Sequence, residues 1–171
     1  MQLISLVNHV QNSQLCSELE KRTNREVRLT LNGSSRVANT IILSALAKKK
    51  KKALIIIVPS FEDVGRWYSI LNLSGWEKTY IYPTSESSPY DSLNQSSEIT
   101  WGQLQVISEL TTLSFNSQIC IITTERALQP HLPPPEYLTN SCLKLKQGEE
   151  YELEEISQKL STLDYRRINT V

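Results

Sequence analysis

Apolar positions recur along this chain in two rhythms, one helical and one strand-like. Leu3, Leu6, Val7, Val10, Leu15 and Leu19 keep helical spacing, which predicts one amphipathic helix over 3–19. A polar stretch at 23–26 leads to an alternating run at 27–31, read as a strand, and then to a polar loop around Gly33. A helix over 35–47 would bury Val37, Ile41, Ile42, Ala45 and Leu46. Next comes ALIIIV, 53–58, stopped by Pro59; a continuous apolar run suits a parallel strand covered on both faces. Ser60 with Asp63 opens a further helix like a capping box, with Phe61, Val64, Trp67, Tyr68 and Leu71 inward. A short strand at 79–82 ends at Pro83, and a polar loop fills 84–97. A helix over 98–113 points Ile99, Leu104, Ile107, Leu110 and Leu113 inward, and 118–123 reads as another buried strand. Thr124 then caps a short helix at 125–128, which Pro130 ends.

Strands alternating with helices predict an α/β domain with a mainly parallel sheet and helices on both faces. Pro133, Pro134 and Pro135 mark a boundary, because no strand or helix interior accepts such a run. The expected domains are therefore 1–132 and 133–171. In the second, 142–146 reads as a strand, Gly148 as a turn, 152–163 as a helix with Leu153, Ile156, Leu160 and Leu163 inward, and 165–171 as a strand. A domain stopping on an open strand leaves an unpaired edge. The expectation is the start of a small α+β domain in a fragment of something longer.

The stretch RLTLNGSSRVANTIILSALA, from Arg28, has the layout of a phosphate-binding loop: strand, Gly-containing turn, helix N-terminus. Laying G-x-x-x-x-G-K-[ST] on it puts Gly33 first, Ala38 at the second Gly, Asn39 at the Lys and Thr40 last. A Cβ at Ala38 obstructs close backbone approach, and Asn39 lacks the charge that reaches the phosphates. Thr40 could touch a metal only if a nucleotide brought one. The residues suggest a nucleotide-binding scaffold that has lost its nucleotide, although any strand-turn-helix matches as loosely. Nor does a carboxylate end a strand to hold Mg²⁺; Glu125 comes closest and reads better as a helix first turn.

Composition narrows the classes. Lys+Arg and Asp+Glu both number 18, so no overall field argues for nucleic acid or membrane. The lysines at 48–52 read as a solvated helix end complementing the dipole, since no aromatic interleaves with them; a phosphate-backbone contact, joined by Lys144 and Lys146, is the alternative. Cys16, Cys120 and Cys142 are odd in number and far apart, which suits reduced thiols in a cytoplasmic protein. No stretch approaches the roughly 20 apolar residues of a membrane span, and the N-terminus lacks a signal-peptide pattern. His9 and His131 stand alone, and the acids from Glu149 to Glu155 crowd a helix start, so neither a metal nor a catalytic acid pair is expected.

Several segments resemble the N-terminal, UvrB-like region of the bacterial transcription-repair coupling factor family, Mfd. They are the degenerate loop LNGSSRVANTIILSALA, LIIIVPS, YPTSESSPYD followed by EITWGQLQVISEL, IITTERALQPHLPPP and the closing LDYRRINTV. The resemblance covers nearly the whole chain. It implies a helicase-like first domain (UvrB domain 1a-like) with an eroded nucleotide site, and the beginning of the small UvrB domain 2-like domain that binds UvrA. In that segment Arg166, with Arg167 beside it, matches the stretch holding an Arg that contacts UvrA. The loop with Glu86, Tyr90 and Asp91 would lie at the sheet edge that faces DNA in UvrB-like scaffolds. No catalytic residue, metal or cofactor is expected in this chain; ATP and Mg would serve a downstream motor that translocates on DNA and displaces stalled RNA polymerase. The alternative is a UvrB-like or helicase-type ATPase or DNA-binding domain with an atypical loop.

Overall fold

The computed structural model describes residues 3–84, 97–111, 113, 117–128, 132, 134–143, 145–163, 165, 166 and 168. They fall into two compact units, Met1–His131 and Leu132–Val171. The first carries α1 (Leu3–Gln11), α2 (Gln14–Arg25), α3 (Arg36–Lys49), β1 (Leu54–Val58), α4 (Phe61–Asn72), β2 (Lys78–Ile81), α5 (Ser97–Leu110), β3 (Ile119–Thr124) and a 3-10 turn, Glu125–Leu128. The second carries α6 (Pro135–Asn140) and α7 (Leu153–Thr162).

The first unit is α/β, with a three-stranded parallel sheet in the order β1-β3-β2. Its register sets Ile56 beside Ile122 and Ile81 beside Ile122 on the other side. Period-two alternation puts Leu54, Ile56 and Val58 on one face with Cys120 and Ile122. Val64 and Leu71 of α4, Ala47 of α3 and Trp76 pack with them as the main core. Trp76 has its indole N–H satisfied by Ser44 Oγ, 3.1 Å away, so the ring enters the core without an orphaned donor. α5 reaches β2 through Glu109, whose carboxylate accepts from Tyr80 Oη at 2.6 Å and pairs with Lys78 at 3.0 Å. The opposite face of β1 is another matter. Ile55 and Ile57 are 57% and 55% exposed, so among the described residues this strand is covered on one face rather than two.

Other departures have local causes. The expected single helix at 3–19 is two, because Ser13 accepts from the Cys16 amide at 3.3 Å and starts α2 afresh. Val7, Cys16 and Ala45 then form a second small cluster. Residues 27–31 form no strand, and Val27 is fully exposed: their alternation finds no ladder partner. The described residues of 142–146 and 165–168 likewise form no strand. The proline run opens α6, where Pro135 stands at a position whose N–H would be unsatisfied anyway. Of the stripe expected in α5, Leu104 is 46% exposed, while Val106 is buried.

The lysine run is solvated only in part, at Lys51 and Lys52. Lys48 is buried, and its Nζ donates to the carbonyls of Ser74 (3.0 Å) and Gly75 (2.6 Å) while lying 5.5 Å from the Trp76 ring centre. Lys49 reaches Ser17 Oγ (2.9 Å) and Glu20 (3.3 Å), and Lys50 reaches Thr23 Oγ1 (3.1 Å). The end of α3 thus ties α2 on one side and the turn after α4 on the other. Lys144 lies outside the described residues, whereas Lys146 pairs locally with Glu149.

Candidate functional site

The loop before α3 shows how the phosphate-binding layout is altered here. Gly33 takes φ +75° with open space around it, so the turn is accessible only to a residue tolerating left-handed backbone. Ser35 caps α3 by accepting from the Ala38 amide at 3.3 Å, and Asn39 is engaged by the Ser34 hydroxyl. Thr40 is fully buried and donates its hydroxyl to the Arg36 carbonyl at 2.9 Å. Arg36 itself pairs with Asp63 of α4 at 2.8 Å, which fixes the start of α3 against the start of α4. Ser35 is therefore spent on helix capping and Ser34 on Asn39, and no strand precedes the loop. Glu86, Tyr90 and Asp91 lie outside the described residues.

In the second unit Arg166 is exposed and lines an open cleft of about 320 Å³ with Leu153, Ile156, Leu160 and Tyr165. The Tyr165 amide donates to the Leu160 carbonyl at 3.1 Å, folding the chain back over the end of α7. No residue of α7 is buried: Leu153 is 75% exposed, and Ile168 beyond it 76%. Of the stripe expected to face inward, Leu153 is exposed and Ile156, Leu160 and Leu163 are half-buried, and the Arg166 guanidinium lines the same cleft. The strand expected at 165–171 does not form at its described residues, and Arg167 lies outside them.

The remaining chemistry is muted. All three cysteines are free, with Cys16 and Cys120 buried; burial pushes the Cys120 thiol up to about 12, which removes it as a nucleophile. Among the described residues no group of three His, Cys, Asp or Glu could hold a metal ion, and no helix is long and apolar enough to cross a membrane.

Comparison with known proteins adds one relative. Over 134 residues, 78% of this chain, the sequence is 22% identical to the transcription-repair-coupling factor of Haemophilus influenzae. The chain spans 11% of that protein's length. No family model matches the chain, and no solved structure matches it. The match supports a relationship between this chain and the transcription-repair coupling factors.

Proposed function

We propose that this chain is a non-catalytic, UvrB-like module that recruits UvrA within a protein of transcription-coupled nucleotide excision repair. On this reading ATP-driven translocation with Mg, and contacts with DNA and stalled RNA polymerase, belong to the whole protein. The observation that carries the reading is the exposed cleft along α7, where Arg166 stands beside Leu153, Ile156, Leu160 and Tyr165. A planar guanidinium at the rim of an apolar face suits bidentate capture of a partner carboxylate. The loop before α3 supports the non-catalytic part, because Thr40 is buried and Asn39 replaces the charge that phosphates need.

Arg166→Glu should abolish capture by purified UvrA and leave the melting temperature nearly unchanged, because the side chain is exposed. Arg167→Glu should do much less. Pull-down of both variants tests this: equal losses, or no loss at Arg166, would reject the assignment.

A further inference from the structure

Charge in the second unit is sorted along α7. From Glu149 to Glu155 the sequence has five acids and no base, while from Ser157 to Arg167 it has three bases and one acid. Glu155 and Lys159 stand four apart on the helix, a spacing at which such residues pair. Here neither has an ion pair among the described residues, and nor do Glu152, Glu154 and Arg166. The helix therefore presents unneutralised acids at one end and unneutralised bases at the other.

The apolar stripe joins these two ends. Leu153, Ile156 and Leu160 recur at intervals of three and four, the seam spacing of paired helices. All three line the cleft of about 320 Å³ that continues to Tyr165 and Arg166. Leu153 is the most exposed of them and lies among the acids, whereas Leu160 is half-buried and lies towards Tyr165 and the bases. One end of the stripe thus complements the other in charge and in relief, but a single helix cannot bring its own ends together.

A patch whose two ends complement each other fits a second copy of itself across a two-fold axis. Parallel packing would set acids against acids. Antiparallel packing opposes the charges and the helix dipoles favourably. We infer that α7 is a self-association surface that takes α7 of a second copy, antiparallel. Leu153 of each copy then packs against Leu160 and Tyr165 of the other, Lys159 faces the other copy's Glu155, and Arg166 faces the acids of its first turn. The chain's equal numbers of acids and bases, 18 each, put no net repulsion in the way. One pair of 10-residue helices covers less than the roughly 1,200 Å² of a standard interface, so the dimer is a weak one that dissociates in the micromolar range. The pair covers the Arg166 rim, so on the reading above self-association and UvrA capture exclude one another; the pairing itself does not rest on that reading.

The test is sedimentation equilibrium of the full 171-residue chain, with no other protein present. The parent should show a monomer–dimer equilibrium. Leu153→Glu should weaken it at least about tenfold by burying a charge at the seam, and folding is not at stake because the side chain is exposed. Glu155→Lys and Lys159→Glu should each weaken it about fivefold, since the two-fold axis repeats every lost pair. The double variant, with both charges exchanged, should recover the parental constant, which a merely structural role for these residues would not produce. Ile57→Lys, on the exposed face of β1, should associate as the parent does. The inference fails if the parent stays monomeric up to about 500 μM, a concentration near the weak limit of specific association. It fails equally if Leu153→Glu associates like the parent, if the double variant is no tighter than the single ones, or if Ile57→Lys alone abolishes the dimer.

Discussion

Replacing Lys48 with Met would remove the ammonium and leave the aliphatic stem, so the result isolates the polar contacts. In the folded chain the Nζ donates to two carbonyls, Ser74 at 3.0 Å and Gly75 at 2.6 Å, in the turn that follows α4. Ser74 is fully buried, so its carbonyl would lose its lysine donor where water does not reach; that costs about 1–3 kcal/mol. The Gly75 contact is only part-buried, and water replaces much of it. The contact with the Trp76 face, 5.5 Å from the ring centre, adds about 0.5–1 kcal/mol. Against these stands the cost of burying the ammonium, which pulls its pKa below the ordinary lysine value, with Glu77 opposing the shift. Together these contacts are worth about 1.5–4 kcal/mol, and relief of the buried ammonium brings the net expected loss to about 1–2 kcal/mol. Urea unfolding followed by circular dichroism reads it as a lower midpoint at unchanged slope. A loss under about 0.5 kcal/mol, the range of ordinary surface changes, would refute the view that Lys48 pins the α3 end to the α4 turn.

Two further outcomes follow from neighbouring geometry. The α3 end is a Schellman motif, with Lys52 N–H on the Ala47 carbonyl (2.9 Å) and Lys51 N–H on that of Lys48 (3.1 Å), and Lys51 holds φ +51°. Lys51→Gly should therefore stabilise by about 0.5–1 kcal/mol in the same urea assay, since left-handed backbone strains a side chain; destabilisation would contradict the motif. Glu109 has its pKa held below the ordinary value, chiefly by the Tyr80 hydroxyl and then by Lys78. A depressed folded pKa means stability that is present above the ordinary carboxylate pKa and lost as pH falls through the lower folded one. Tyr80→Phe should raise the Glu109 midpoint in a carbon-detected NMR titration and shrink that acid-side loss; an unmoved midpoint would exclude the hydroxyl as the main cause.

What the sequence shows and what it hides divide along physical lines. β1 and β3 are legible because apolar runs ended by Pro59 and Thr124 admit few other structures. The strand at 27–31 is a false reading for a specific reason. Alternation says which side chains share a face, not whether a neighbouring strand exists, and Val27 ends fully exposed. The break between α1 and α2 was available at Ser13, a strong capping residue inside an otherwise helical stripe. Lys48 is misread as solvated because composition treats a lysine run as one object. Spacing treats it otherwise: Lys48 follows Thr40 and Ser44 by steps of four, on the face of α3 that is buried.

The surroundings of Arg166 and of Thr124 become visible in different ways. Arg166 comes from resemblance, and geometry adds that its surroundings form an open apolar cleft rather than a strand face. The cleft at the carboxyl ends of β1 and β3, lined by Phe61, Thr124 and Arg126, comes from geometry alone. No spacing rule joins Phe61 to Thr124 and Arg126 across more than 60 residues; the parallel register does, by setting Val58 beside Thr124. Sequence reading assigned Ser60 and Thr124 the same role, a helix cap. Only one performs it: Ser60 Oγ accepts from the Asp63 amide at 3.2 Å, while Thr124 Oγ1 remains unused at the mouth of the cleft. A buried hydroxyl that neither caps nor pairs is a departure from local consistency, and spacing along the sequence does not reveal it.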